Sequence, residues 1–135
     1  MICGKVELTV EAEVNPTENP EKILIALNRL FGDIQYKIEE RGSRRFLRGR
    51  DDSMSGLSTF RSLLRRELIC DAARKVLFKG TVGNTITFHL NKQVAYVGHI
   101  SFSEPVGESP LGPIRVEIQC EDPRELINWL APKTP

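Results

Sequence analysis

Arginine dominates the chemistry that this sequence can offer. The run Arg41 to Arg50, RGSRRFLRGR, holds five arginines and no acid. A guanidinium is a planar fork of donors that fits two oxygens of a phosphate and stays charged at any physiological pH. Several such contacts on one surface displace counterions and give salt-dependent binding to nucleic acid. Arg61, Arg65 and Arg66 extend the basic character into the segment Ser55–Lys79. The competing reading is a solubilising edge strand whose arginines pair with acids such as Glu39, Glu40, Asp51 and Asp52. Neither reading requires a fixed spacing, so the cluster predicts a charged surface more firmly than it predicts a ligand.

Other chemistry-bearing residues point less far. His89 and His99, ten apart, would need to face each other across a hairpin and recruit Asp51 or Asp52 to hold a metal for phosphodiester cleavage. Ordinary strand-end histidines and turn acids are the simpler account. Ser55 and Ser58 are read as helix caps, because no histidine or lysine base is placed beside them by spacing. Gly80 to Thr85 lacks the terminal Gly-Lys-Ser/Thr of a phosphate loop and follows a helix instead of preceding one. Cys3, Cys70 and Cys120 are an odd number without CxxC spacing, which argues against a disulfide framework or zinc site. They are expected to be reduced, in a cytoplasmic protein. Asn91-Lys92-Gln93 either meets a ligand or satisfies backbone groups at a tight connection, and its chemistry favours the second. No catalytic motif is visible, and the chain is read as a non-enzyme.

The elements that must position these residues follow from periodicity. Ile2 to Val14 alternates strictly, giving a half-buried strand. Asn19-Pro20 opens a helix running to about Phe31, with Gly32 as its stop. Ile34, Tyr36 and Ile38 form a second strand, Arg41-Gly42-Ser43 a turn, and Arg44 to Arg50 a return strand poor in apolar residues. Such a strand is expected at a sheet edge or in a flexible loop. Ser55–Lys79 reads as one long helix carrying two apolar stripes. Leu57, Phe60, Leu64 and Leu68 form one, and Ile69, Ala72, Ala73, Val76 and Leu77 the other. The two are rotated by about a quarter turn or more, so the helix is bent or buried by two neighbours. Ile86, Phe88 and Leu90 mark another strand, Ile100 and Phe102 a short one, and Ile114 to Cys120 the last. Residues 103–113 are a Pro- and Gly-rich loop. Asp122-Pro123-Arg124-Glu125 caps a final helix reaching about Leu130.

At 135 residues, 40% hydrophobic and 27% charged, the chain is expected to be one domain over residues 1–135. No window approaches the ~18 consecutive apolar residues of a membrane span, and the start does not resemble a signal peptide. The formal charge of +1 is unevenly spread: −4 over residues 1–40, +7 over 41–79 and −2 over 80–135. That asymmetry suggests one positive face. The element order predicts an α+β, two-layer α/β sandwich, with helices on one face of a mostly antiparallel or mixed sheet. The other face would show Lys5, Glu7, Thr9, Glu11, Thr87, Arg115 and Glu117. It carries no aromatic stripe, so base stacking of the RNA-recognition-motif kind is not supported.

Ordered along nearly the whole chain are Gly56-Leu57-Ser58-Thr59-Phe60-Arg61-Ser62-Leu63-Leu64-Arg65, Asp71-Ala72-Ala73-Arg74, Leu90-Asn91-Lys92-Gln93-Val94-Ala95 with Gly98, and Pro110-Leu111-Gly112-Pro113-Ile114. With these the sequence resembles an uncharacterised archaeal family described as RNA-binding, sister to a group predicted to associate with the RNA exosome. The resemblance implies a ribosomal-protein-like fold, similar to the large-subunit protein that holds 5S RNA. It implies RNA as partner, no known cofactor and no established activity. Arg61, Arg65, Arg74, Asn91, Lys92 and Gln93 stand at its motif positions. The expected nucleic-acid-binding set is Arg44, Arg45, Arg48, Arg50, Arg61, Arg65 and Lys92, engaging structured RNA through phosphates along an Arg-rich edge. The alternative is a homodimeric structural or protein-interaction module.

Overall fold

Alternation alone shapes the first strand. β1 (Val6–Val14) buries Val6, Leu8, Val10, Ala12 and Val14 and turns Glu7, Thr9, Glu11 and Glu13 the other way. The computed structural model describes residues 4–103 and 112–133. The expected strand start at Ile2 and most of the 103–113 loop lie outside the described residues. α1 (Pro20–Phe31) begins as predicted, with the Asn19 side chain accepting from the Glu21 amide at 2.9 Å and Pro20 in the first turn. It ends at Gly32, whose amide reaches the Asn28 carbonyl at 2.8 Å.

β2 (Tyr36–Arg41) and β3 (Arg44–Asp51) form the next hairpin. Here the edge expectation is corrected. β3 pairs with β2 on one side and with β1 on the other, so β2 is the edge. An interior place suits β3 because its few apolar groups are used on both faces. Leu47 is buried among the core residues, while Phe46 points to the opposite face. Gly49 lets the ring of Tyr36 lie against the strand; a Cβ there would stand 2.6 Å from the Tyr36 Cδ1.

The long helix is two helices. α2 (Ser55–Arg66) buries Leu57, Phe60, Leu63 and Leu64, and α3 (Cys70–Lys79) buries Ala73 and Leu77. Between them Leu68 takes a left-handed conformation, φ 58°. Expected on the apolar face, Leu68 is instead 90% exposed. The rotation between the stripes is thus absorbed by a break, and each helix turns its own stripe inward.

β4 (Thr81–Val82), β5 (Thr85–Asn91), α4 (Lys92–Tyr96), β6 (Phe102–Ser103), β7 (Pro113–Cys120) and α5 (Pro123–Leu130) complete the order. The sheet runs β2-β3-β1-β7-β5-β4, with β6 also on β5, and every pair is antiparallel. The helices cover the face that carries Val10, Val116 and Phe88, making an α+β two-layer sandwich. Phe60 of α2 ties the layers together, stacking at 5.0 Å on Phe31 and 5.6 Å on Phe88.

Candidate nucleic-acid interface

The open face of the sheet collects the arginines by register. Glu13 lies opposite Phe46, Glu11 opposite Arg48 and Thr9 opposite Arg50. Since directly opposed residues share a face, Arg44, Phe46, Arg48 and Arg50 all stand on the side away from the helices. β2 adds Lys37, Glu39 and Arg41, opposite Arg48, Phe46 and Arg44. β7 adds Arg115 and Glu117.

Each of the β2 and β3 arginines on this face meets a carboxylate. Arg41 donates through both terminal nitrogens to Glu11, at 2.9 and 2.8 Å, and also to Glu39. Arg44 donates to Glu13 through Nε at 3.0 Å and Nη2 at 2.6 Å. Arg48 stands 3.8 Å from Glu11 and 3.9 Å from Glu39, and Arg50 pairs with Glu7. Their hydrogen bonds to Glu11 and Glu39 raise the Arg41 guanidinium above its ordinary value, and the Arg44 hydrogen bond holds Glu13 below its own. The guanidinium side chains nevertheless keep between 42% (Arg41) and 62% (Arg50) of their surface exposed. Phe46 lies under two of them, 4.5 Å from Arg41 Cζ and 5.1 Å from Arg44 Cζ. Beside this pair a shallow hollow is lined by Arg44, Phe46, His89 and Arg115 with Glu11 and Glu13.

The structure divides the expected binding set. Arg44, Arg48 and Arg50 share the open face. Arg45 does not, because it stands opposite the buried Val14, on the helix side of β3. Arg61 and Arg65 belong to the helix layer, so the sheet separates them from the β3 arginines. Arg61 is spent on packing: its Nε donates to the Trp129 carbonyl at 2.8 Å and its guanidinium lies 5.1 Å over the Trp129 ring. Lys92 is corrected outright as a nucleic-acid contact. It is fully buried, and its Nζ donates to the Glu13 carbonyl at 2.6 Å and to Glu18 Oε1 at 3.0 Å. No phosphate can reach it.

Sequence reading placed Glu7, Glu11 and Arg115 on the open face, but it left Arg41 out of the binding set and missed that the β1 glutamates bind the β2 and β3 arginines. Parity was the available signal. Glu7, Glu11 and Glu13 occupy the outward positions of β1, but which strand lies beside them depends on topology. The facing of His89 and His99 that a metal site would need is not made. His89 stands opposite Ser103, and His99 is bonded through Nδ1 to Glu67 Oε1 at 2.8 Å. Asp51 accepts from the Gly56 amide at 2.8 Å and from Ser53, which anchors the start of α2. Among the described residues no three His, Cys, Asp or Glu side chains are grouped to hold a metal ion. No helix of the described residues is long and apolar enough to cross a membrane.

Against known proteins, residues 7–120 match the family model described as RNA binding. The UPF0201 protein of Sulfurisphaera tokodaii is 47% identical over 128 residues, covering 95% of this chain and 88% of that one. The chain belongs to the UPF0201 family. A UPF0201 protein of Thermococcus kodakarensis is 41% identical, with 95% and 91% covered. The crystal structure of the UPF0201 protein from Methanococcus jannaschii superposes with a TM-score of 0.84 at 34% identity, covering 96% of this chain and 95% of that one. A DUF54 protein from Methanothermobacter thermautotrophicus shares the fold at a TM-score of 0.68 and 20% identity, with 94% and 98% covered. Several residues that carried the resemblance to an archaeal RNA-binding family hold elements together here. Besides Arg61 and Lys92, Arg74 donates to the Ala131 carbonyl at 3.2 Å, and Asn91 caps α4 by accepting from the Val94 amide at 3.0 Å.

Proposed function

We propose that this UPF0201 protein binds structured RNA, without catalysing a reaction on it, as a single domain in the cytoplasm. Arg41, Arg44, Arg48 and Arg50 supply the phosphate contacts from the open sheet face. The observation that carries this reading is the β2–β3–β1 register, which sets four half-exposed guanidinium groups on one flat surface. The description of the family model supports RNA as the partner class. The glutamates restrain the affinity but do not forbid binding. Exposed ion pairs are individually weak, so a guanidinium exchanges a carboxylate for a phosphate oxygen at small cost. The carboxylates left behind repel the strand, which keeps binding weak and strongly salt-dependent. Phe46 is covered, so sequence-specific stacking is not expected.

Fluorescence anisotropy with duplex and hairpin RNA at several salt concentrations tests this reading. Binding should appear at ~50 mM salt and weaken as salt rises, with each lost phosphate contact lowering the slope of log affinity against log salt by about one. Arg44→Gln with Arg48→Gln should lower the slope by about two. Arg45→Gln, on the other side of the strand, should leave it unchanged.

The pairing of every β2 and β3 arginine on this face with a glutamate favours a second reading, a homodimeric or protein-interaction module. Such a surface, nearly balanced in charge, suits a self-complementary contact. Sedimentation equilibrium separates the two. A dimer that the same arginine substitutions dissociate, together with absent RNA binding, would favour the module.

A further inference from the structure

The helix layer carries a second basic concavity, on the side of the molecule opposite the sheet arginines. α2 presents Thr59, Ser62 and Arg66 along one stripe, at spacings of three and four. Arg29, in the last turn of α1, faces them, and Val97-Gly98-His99 closes the far wall. The cleft has a volume of about 830 Å³ and is lined by both polar and apolar atoms.

Of the two arginines, Arg29 is fixed by a backbone carbonyl. Arg29 Nη1 donates to the Tyr96 carbonyl at 3.0 Å, which uses one of five guanidinium N–H groups, and among the described residues Arg29 makes no ion pair within 4.0 Å. Gly98, at φ 82°, turns the chain beside that side chain, with Arg29 Cδ 3.8 Å from where a Cβ would stand. Among the described residues Arg66 makes no ion pair within 4.0 Å, and its side chain belongs to an exposed residue. Glu67 is the acid beside the cleft, and it is committed to His99 Nδ1 at 2.8 Å and the Ile100 amide at 3.3 Å. That bond directs the other ring nitrogen of His99 away from Glu67.

We infer that this cleft binds a phosphate group, held by Arg29 and Arg66 with the Ser62 hydroxyl and the His99 ring. Two guanidinium forks and a hydroxyl are the donor set that a tetrahedral dianion takes. The group is either free, as in a mononucleotide, or part of a nucleic-acid backbone. The inference stands independently of the sheet-face reading, because its residues lie in the other layer.

Amide chemical-shift titrations at constant ionic strength test it, using inorganic phosphate, adenosine monophosphate and duplex RNA in separate arms. Phosphate should shift the Ser62, Arg66, Gly98 and His99 amides saturably. Arg66→Gln should weaken that binding by about tenfold or more, as expected for the loss of one charge-assisted contact. Arg44→Gln with Arg48→Gln should leave it unchanged. Tighter binding of the nucleotide than of phosphate assigns a free ligand, and tighter binding of RNA assigns a backbone phosphate. Shifts that do not saturate, that survive Arg66→Gln, or that follow an oligoglutamate peptide as well as phosphate would overturn the inference.

Discussion

Lys92 takes a charge into the interior, at the junction of β1, α1 and α4. There it meets the Glu13 carbonyl and the Glu18 carboxylate, which also accepts from the Tyr96 hydroxyl at 2.7 Å and from the Asn15 side chain at 2.7 Å. Burial pushes the Glu18 carboxyl up, but the bonds from Tyr96, Asn15 and Lys92 outweigh it and hold the group below its ordinary value. Removing one partner of a buried pair strands the other charge. Lys92→Met should therefore cost roughly 3–5 kcal/mol in urea unfolding. A loss below ~1 kcal/mol would show that water reaches Glu18. A carboxylate with a depressed folded value contributes stability that is present above its unfolded value of about 4.3 and is lost as pH falls through the folded one. Glu18→Gln should lower stability at pH 6, yet lose less than the parent between pH 6 and pH 3. Equal losses would remove Glu18 from the acid response. The sequence displayed Lys92 only as a polar residue after an apolar strand. Its burial depends on β1 ending beside α4, which no local pattern encodes.

At the scale of elements, the break between α2 and α3 is the most instructive departure from periodicity. Two apolar stripes out of phase were legible in Ser55–Lys79, and so was the need to accommodate them. A bend and a break satisfy the pattern equally well, because neither Gly nor Pro marks the stop. Leu68 instead accepts a left-handed conformation that strains an L-residue by roughly 1–2 kcal/mol. Its side chain is almost wholly exposed, so little packing is lost without it. Leu68→Gly should therefore raise stability by about 0.5–1 kcal/mol after the entropy that glycine adds to the unfolded chain. The melting temperature should rise by a few degrees. A fall would mean that Leu68 is covered by another molecule in solution. The capped starts of α1 and α5 were readable, since Asn19-Pro20 and Asp122-Pro123 place a side-chain acceptor and a proline where local chemistry decides. The start of α2 fell at Ser55 as read, but its anchor was not legible: Met54, not Ser55 or Ser58, stands at the N-cap, and the bond to the Gly56 amide comes from Asp51, five residues away.

Across the whole molecule, the half-buried strands and the layer they share with the helices were legible from alternation. Strand order was not, and the functional reading turned on it. Arg44, Arg48 and Arg50 read as a basic edge whose acidic partners, if it had them, would come from nearby in sequence, whereas placing β3 between β2 and β1 brings Glu7, Glu11 and Glu13 beside them. The positive excess of residues 41–79 is thus largely met on the sheet face by acids from residues 1–40. The glutamates are accordingly the restraint on RNA binding, and relieving it tests the account most directly. The measurement is RNA-duplex affinity of Glu11→Gln/Glu13→Gln against the parent, by anisotropy across salt concentrations. The account predicts tighter binding and a steeper salt dependence, because Arg41, Arg44 and Arg48 are released to phosphate without losing a cation. Affinity unchanged from the parent, or no binding by either protein at ~50 mM salt, would contradict it.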